Sequence, residues 1–377
     1  MTSGPDTPRP PDAALVAIVG ALVALGLVMV FSASSATAYA FHHDTAYFLK
    51  RQLMWLVVAL ICAAIAYKLD YRILRRVDAA ILIAAMLALV AVLVPHVGIV
   101  SGGARRWIGA GGFQFEPSEF SKLALIVYLA AAISRRQERI RSLTRGLWPL
   151  LIVTFALAAL VLVEPDMGTA TLVVFTAFTI MFIAGARVPH LVAVVLATAP
   201  FVIFEIFASP YKRARILAFL DPWKDPQNTG FHIVQSLLAL GSGSLFGVGL
   251  GLSRQKFFYL PEQYTDFIFA IVGEELGLLG ALFVIALFIC FAYRAIKIAL
   301  AAPDQFGFFL VVGCTALIVI QAFVNIGVTT SSWPVTGVPL PFISFGGSSL
   351  IVSLVAVALI LNVGRSRGSV PMRRSVS

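Results

Sequence analysis

The chain has 377 residues, of which 60% are hydrophobic and only 12% charged, roughly half the charged share of ordinary soluble domains. A mean hydropathy of +0.95 is more apolar surface than a water-soluble core absorbs, which excludes a soluble enzyme, a disordered chain and a disulfide scaffold. The charge balance, 28 Lys and Arg against 18 Asp and Glu, is +10, and where those charges fall matters more than their sum.

Ten continuously apolar runs follow one another, at 13–31, 53–67, 79–94, 117–133, 147–163, 169–184, 188–208, 275–293, 306–329 and 345–363. A bilayer core of ~30 Å takes about 20 helical residues, with shorter spans tolerated. The runs do not alternate as barrel strands would, so they predict helices. The expected fold is an all-α polytopic membrane protein with ten transmembrane helices. One long extracytoplasmic loop, 209–274, carries short membrane-dipping or amphipathic helices. The expected layout is a cytoplasmic segment 1–12, a single integral-membrane domain 13–363 and a basic cytoplasmic tail 364–377. Cys62, Cys290 and Cys314 lie in apolar runs and offer no disulfide framework or CxxC metal site.

After the first run, Ser34-Ala-Thr-Ala-Tyr-Ala40 imitates a signal-peptidase site. The preceding 19 apolar positions exceed a usual signal core, so the run is read as a retained span. An even number of spans puts both termini on one side. Seventeen of the 28 Lys and Arg lie on the termini and the connections of that side, ten on the opposite connections, and Lys122 within a span. Short basic loops mark the cytoplasm, so both termini are expected there. The cluster Arg135, Arg136, Arg139, Arg141 and Arg145 is read as a solvated basic rim, without implication for nucleic acid. The basic tail is expected beside an anionic lipid surface.

The polar, carboxylate-bearing loops then all face outward. No GxxxxGK[ST] loop exists, and the glycine run Gly241-Ser-Gly-Ser-Leu-Phe-Gly-Val-Gly-Leu-Gly251 lies away from cytoplasmic ATP. Any energy must come with the substrate or from an ion gradient.

Four outward segments carry the candidate chemistry. In 101–122, Pro117 suits the first helical position, so the fourth span presents an amino-terminal end that favours phosphate. Glu119 and Lys122, three apart on one face, are in ion-pair reach, and Arg105, Arg106 and Trp107 lie nearby in sequence. A local pair that merely neutralises a membrane lysine is the plainer alternative. In Glu164-Pro-Asp-Met-Gly-Thr169, Asp166 is either a helix cap or a substrate ligand. In the long loop, Tyr211-Lys-Arg-Ala-Arg and Asp221-Pro-Trp-Lys-Asp-Pro226 form a turn-rich surface stretch. Asp266 precedes an apolar segment, 267–273, too short to span and expected to dip into the outer leaflet; Asp266 is a general base or another cap. In 333–349, three prolines and three glycines forbid regular helix, and irregular backbone at the membrane needs protein or a wet cavity around it. This loop is expected to wall a groove.

Taken in order, these segments resemble the SEDS family, named for shape, elongation, division and sporulation. The likeness runs from Arg106-Trp-Ile and Pro117-Ser-Glu-Phe-Ser-Lys122 through Glu164-Pro-Asp-Met-Gly-Thr169. It continues through Leu260-Pro-Glu-Gln-Tyr-Thr-Asp-Phe-Ile-Phe-Ala270 and Gly273-Glu-Glu-Leu-Gly277 to Thr336-Gly-Val-Pro-Leu-Pro-Phe-Ile-Ser-Phe-Gly-Gly-Ser-Ser349. The likeness leans to the division branch. Tyr264, Ser244 and Phe345 depart from common family residues and leave the charged positions intact.

The resemblance implies a peptidoglycan glycosyltransferase that polymerises lipid II beside a class B penicillin-binding protein and other division proteins in the bacterial inner membrane. It makes Asp266 the catalytic candidate and carries over Lys122 and Arg106 as functional polar residues. Arg105, Trp107, Glu119, Glu164 and Asp166 complete the expected substrate-binding set. The one cofactor candidate is a divalent cation (Mg or Mn), and Glu164 and Asp166 would position either it or the acceptor. A lipid II flippase is the competitor, because Glu205, Gln321 and Asn325 lie within spans. Gln321 and Asn325 would equally serve as hydrogen bonds between helices. A non-catalytic scaffold for division is the third alternative.

Overall fold

The computed structural model describes residues 10–366 apart from 102–103, 111–112 and 258–259; most of the expected terminal segment and nearly all of the basic tail lie outside the described residues. The chain runs through α1 (Ala13–His42), α2 (Tyr47–Lys68), α3 (Leu74–Leu93), α4 (Pro117–Arg135), α5 (Trp148–Val163), α6 (Met167–Ile183) and α7 (Val188–Ala208). The short α8 (Pro210–Leu220) and α9 (Phe231–Ser242) follow, then α10 (Ile268–Leu300), α11 (Gln305–Thr329) and α12 (Gly347–Arg365). Among the described residues nine helices are long and apolar enough to cross a membrane. The seventeen residues of α6 sit at the short limit of a span. These ten helices match the ten apolar runs in order, and the chain is a multi-pass membrane protein.

Helices α4, α11 and α12 are mostly buried, whereas α7 is almost entirely exposed along its sides. Phe201, Phe204 and Phe207 on α7 point away from protein, which suits a surface bathed in lipid. The Ser34–Ala40 stretch continues α1 as helix.

Chain reversal gives the bundle two ends. Residues 43–46, 94–116, 164–166, 209–267 and 330–346 lie at one, called here the site end. The connections 69–73, 136–147, 184–187 and 301–304 lie at the other.

Two features depart from the expected purely helical pattern. Residues 98–115 form an antiparallel sheet of β1 (Gly98–Ser101), β2 (Ala104–Ala110) and β3 (Phe113–Phe115) in the order β1-β2-β3. Ile99 faces Trp107 and Gly109 faces Gln114, with a register shift between Ile99 and Val100. The signal was present: Gly102-Gly103 and Gly111-Gly112 are two-residue links of the kind that close hairpins.

The second departure is in α10. Gly277, at φ 69° and ψ −170°, breaks it, so 268–276 form a short helix before the longer one that follows. The break is locked to the glycine run. Val248 and Gly249 donate N–H to the Glu274 and Glu275 carbonyls, and Leu278 and Leu279 donate to Ser244 and Leu245. A Cβ on Gly277 would lie 2.3 Å from the Gly247 nitrogen, so this close crossing and its left-handed φ both require glycine. Buried Glu274 accepts from Ser253 Oγ and from the Arg254 N–H at 2.9 Å. Buried Glu275 accepts from Ser32 Oγ at 2.6 Å and from the Ser253 N–H at 3.3 Å. The two glutamates are thus structural acceptors that tie the long loop to α1 and α10.

Candidate active site

Asp266 stands just before α10 on a rigid backbone. Phe345 N–H donates to the Tyr264 carbonyl at 2.9 Å, Ser344 Oγ to that of Thr265 at 2.5 Å, and Asn325 Nδ2 to that of Asp266 at 2.7 Å. Three successive carbonyls are therefore pinned by α11 and the 330–346 loop, so the Asp266 side chain is aimed by its supports. The proline- and glycine-rich loop acts as a wall, as its composition suggests. Gly337, at φ 75°, brings its backbone past the Asp266 carboxylate, 3.5 Å from where a Cβ would stand. The carboxylate is half-buried and accepts no hydrogen bond among the described residues. The cap of α10 is Phe267, without side-chain bonding, so Asp266 is not a helix cap. Burial pushes its carboxyl up to about 7; Glu262 and Asp166 push the same way, and Arg215 and Arg106 oppose them.

Arg106 reaches the α5–α6 turn. Its Nε donates to the Glu164 carbonyl at 2.9 Å, its Nη2 to the Pro165 carbonyl, and its Nη1 lies 4.0 Å from Asp166 Oδ2. Asp166 also caps α6 by accepting the Thr169 N–H at 3.0 Å. The cap that the sequence offered for Asp166 is formed through Oδ1, and Oδ2 is the oxygen nearer Arg106.

Arg105 and Trp107 do not join this group. The pairing of Ile99 with Trp107 and of Val100 with Arg105 leaves Arg106 as the extra, bulged residue of β2, and a bulge re-aims its side chain apart from those of its neighbours. Arg105 Nη1 donates to the Leu93 carbonyl at 3.3 Å, answering a free carbonyl at the end of α3. The expected substrate-binding set held both arginines; only Arg106 reaches the α5–α6 turn.

Lys122 is the deepest cation. It is 2% exposed, and its Nζ lies 2.7 Å from Glu119 Oε1 and 3.2 Å from Gln321 Oε1. Gln321 Nε2 donates onward to the Pro339 carbonyl at 3.0 Å, and Asn325 Nδ2 to that of Val338 at 2.7 Å. The four-residue spacing on α11 thus places two amides that join α4, α10 and the wall loop. The other oxygen of Glu119 is buried without a partner.

Two more carboxyls are held at this end. Glu164 has no exposed surface and neither of its oxygens has a hydrogen-bond partner among the described residues; burial pushes it up to about 8, helped by Asp166 and opposed by Arg106. Glu116, which the sequence placed only as the start of a helix, is pushed by burial, Glu119 and Asp166 up to about 8. It precedes Pro117 without capping α4 by its side chain, which accepts from Ser118 Oγ at 3.1 Å, while its backbone carbonyl accepts the Glu119 N–H at 3.2 Å. Among the described residues no three His, Cys, Asp or Glu are grouped to hold a metal ion. Glu164, fully enclosed, offers no open ligand beside Asp166.

Sequence reasoning missed Arg215. It lies on α8, where a surface turn was expected, and its Nη1 donates to the Val335 carbonyl at 3.3 Å. The basic stretch at 212–215 was its signal. Beside the wall loop, Phe175, Phe182, Leu191, Phe323 and Trp333 line a cavity of about 400 Å³ bounded by α6, α7 and α11.

A family model described as a cell cycle protein, FtsW/RodA/SpoVE, matches residues 12–369. The chain belongs to this family. It is 45% identical to stage V sporulation protein E of Bacillus subtilis, over 94% of this chain and 97% of that one. It is 43% identical to a protein of Trichlorobacter lovleyi named a probable peptidoglycan glycosyltransferase FtsW, over 96% of this chain and 95% of the relative. Among solved structures, a chain described under the structural coordination of polymerization and crosslinking by a peptidoglycan synthase complex superposes with a TM-score of 0.78 at 32% identity. That likeness covers 95% of this chain and 98% of the other. The Thermus thermophilus rod shape determining protein RodA gives a TM-score of 0.70 at 31% identity, covering 95% and 97%. The FtsW/RodA/SpoVE assignment agrees with the resemblance carried by the sequence motifs.

Proposed function

We propose that this FtsW/RodA/SpoVE protein is a peptidoglycan glycosyltransferase that polymerises lipid II into β-1,4 glycan strands, with release of undecaprenyl diphosphate, for the septal wall in cell division. One observation carries the assignment above the others: a carboxylate with no hydrogen-bond partner among the described residues, held on a pinned backbone, with Arg106 and Arg215 close enough to act on its charge.

In the reaction, the 4-hydroxyl of the acceptor sugar attacks the anomeric carbon of the donor. The bond to the diphosphate breaks on the opposite face, and α linkage becomes β. Asp266 accepts the hydroxyl proton as the new bond forms; a base whose pKa lies near the working pH suits that step. The diphosphate leaves with the bonding electron pair, and fixed positive charge stabilises it without a proton donor. Arg106 and the amino end of α4, which has no side-chain cap, supply that charge, and Arg215 adds to it. Lys122, buried behind them, is a positioning residue that fixes Glu119 and, through Gln321, the wall loop. Arg105 and Trp107 are left out of the set. The apolar cavity beside Trp333 has the chemistry to take the first part of a polyprenyl tail. Mg or Mn, where one takes part, would enter with the diphosphate, and no step is routed through it.

The site end is proposed to face outward, with both termini cytoplasmic, as the distribution of Lys and Arg implies. A class B penicillin-binding protein is proposed as partner, supported by the likeness to a chain of a peptidoglycan synthase complex. Other division proteins are expected around the pair. Against transport, Gln321 and Asn325 spend their amide N–H groups on the wall loop rather than on a free midplane site.

Purified protein with its partner and labelled lipid II decides the matter. Glycan chains that disappear in Asp266→Asn support the polymerase. Translocation across a vesicle bilayer without polymer would establish the flippase, and neither activity would leave the scaffold.

A further inference from the structure

At the end of the bundle opposite Asp266, the connection between α4 and α5 is not a simple loop. A one-turn 3-10 helix (Gln137–Arg141) leads into a π-helical turn (Leu143–Leu147), and the two pack closely: a Cβ on Gly146 would lie 1.8 Å from the Arg139 carbonyl oxygen. Tight π turns of this kind are uncommon and often mark functional sites.

Between this connection and the ends of α4 and α5 is a cavity of about 220 Å³. Arg136, Arg139 and Arg145 line its polar side, and Ile133, Pro149 and Leu150 its apolar side. Arg135, at the same rim, is already bound to Asp78 at 2.6 Å. The other three make no ion pair or side-chain hydrogen bond among the described residues. The one acidic residue of the connection, Glu138, does not line the cavity. Three unneutralised guanidinium groups facing one small space repel one another, an arrangement that calls for an anion.

We infer that this cavity binds the phosphodiester headgroup of an anionic membrane lipid, in the leaflet opposite the candidate active site. The ligand chemistry is that of a phosphate bearing negative charge, and two observations favour a lipid over a free phosphate. The cavity's apolar side is made by Ile133 near the end of α4 and by Pro149 and Leu150 in the first turn of α5, so a bound anion would sit at the ends of two spanning helices. Trp148, 55% exposed at the first residue of α5, is the kind of side chain that sits at the headgroup level. Basic pockets between transmembrane helices are suited to anionic headgroups. The site is independent of the polymerase assignment, because it shares no residue with that end.

Native mass spectrometry of the full-length protein tests this, with phosphatidylglycerol, phosphatidylcholine and inorganic phosphate added in separate arms. The expected result is retention of phosphatidylglycerol over phosphatidylcholine. In the triple variant Arg136→Gln, Arg139→Gln, Arg145→Gln that retention falls by about five-fold per arginine, on the order of a hundredfold in all. A charge-matched control, Arg75→Gln, Arg76→Gln, Arg187→Gln, removes three exposed arginines of the same end and keeps the preference. Equal retention of the two lipids overturns the inference. So does equal loss in both triple variants, and so does tight binding of inorganic phosphate with no lipid preference. The wild-type ratio decides by itself should the first triple variant not fold.

Discussion

A few carboxyls at the two ends of the bundle are handled in opposite ways. At the end that holds the α4–α5 connection, carboxylates meet partners directly: Asp78 meets Arg135 at 2.6 Å, Asp12 meets Arg294 at 2.5 Å, and Asp304 accepts from Tyr71 at 2.5 Å with Arg72 at 3.4 Å. At the site end, Glu164 has no partner for either oxygen, Glu119 has one unpartnered oxygen, and Asp266 has no hydrogen bond among the described residues. Burying polar groups without partners costs free energy that a merely structural end would avoid. The contrast separates charges that hold the fold from charges kept available, and substitutions at the two ends should differ accordingly.

The largest effect is expected at Asp266. Asp266→Asn keeps shape and removes the base, which lowers glycan polymerisation by about 10²–10⁴-fold while the melting temperature of the purified protein stays within a few degrees of wild type. In the wild type, the charged form is the active base, so the rate should rise with pH through about 7, where burial places this carboxyl. A rate that falls with pH across that range contradicts the assignment.

Next comes the buried pair. Lys122→Met leaves Glu119 and the Gln321 oxygen without their cation, and removing one partner of a buried pair costs roughly 3–5 kcal/mol. Replacing both, as Lys122→Met with Glu119→Leu, should restore most of the thermal stability without restoring activity. A double variant as unstable as the single one would show that Glu119 is not the partner that matters.

The helical architecture was legible because each span is a continuous apolar run, and the span 188–208 was read with the ends the structure gives α7. The Glu119–Lys122 pair was equally legible, since three-residue spacing on a helix fixes contact. What escaped were contacts set by the third dimension. Arg105 and Arg106 are neighbours in sequence but reach different elements, the end of α3 and the α5–α6 turn, because a bulge falls at Arg106 in a strand announced only by Gly-Gly links. Arg215 comes to the wall loop through α8, with its charge acting on Asp266, more than fifty residues back along a loop that looked like surface. The amides of Gln321 and Asn325 could be placed on one helix face, but their targets, carbonyls at 266, 338 and 339, depend on how the wall loop folds.

Glu164 gives a smaller, pH-dependent effect with a definite sign. Folded, its carboxyl holds a proton up to about 8, while its ordinary value is 4.5. Between those values the unfolded chain has released the proton and the folded chain has not. Stability from this residue is therefore greatest below about 4.5 and declines as pH rises toward 8. Glu164→Gln removes that decline. Melting curves should show the variant more stable than wild type at pH 8 by a few degrees and indistinguishable near pH 4.5; a wild-type advantage at pH 8 would mean the carboxylate is charged and paired.

The smallest effect is expected at Arg72, at the opposite end. Its Nε lies 3.4 Å from Asp304 Oδ2, and the two side chains are 53% and 31% exposed. Asp304 does not depend on it, because the same carboxylate accepts from the Tyr71 hydroxyl and from the Gly307 N–H at 2.7 Å, capping α11. Exposed pairs of this kind contribute about 0–1 kcal/mol and are screened by salt. Arg72→Gln should therefore shift thermal unfolding by no more than a degree or two at low salt, and by nothing measurable at high salt. Tyr71→Phe, which takes the buried donor from Asp304, should shift it more. Were Arg72→Gln as damaging as Lys122→Met, exposure and redundancy of partners would not be what distinguishes the two ends, and the charges at the site end would lose their claim to be specially kept.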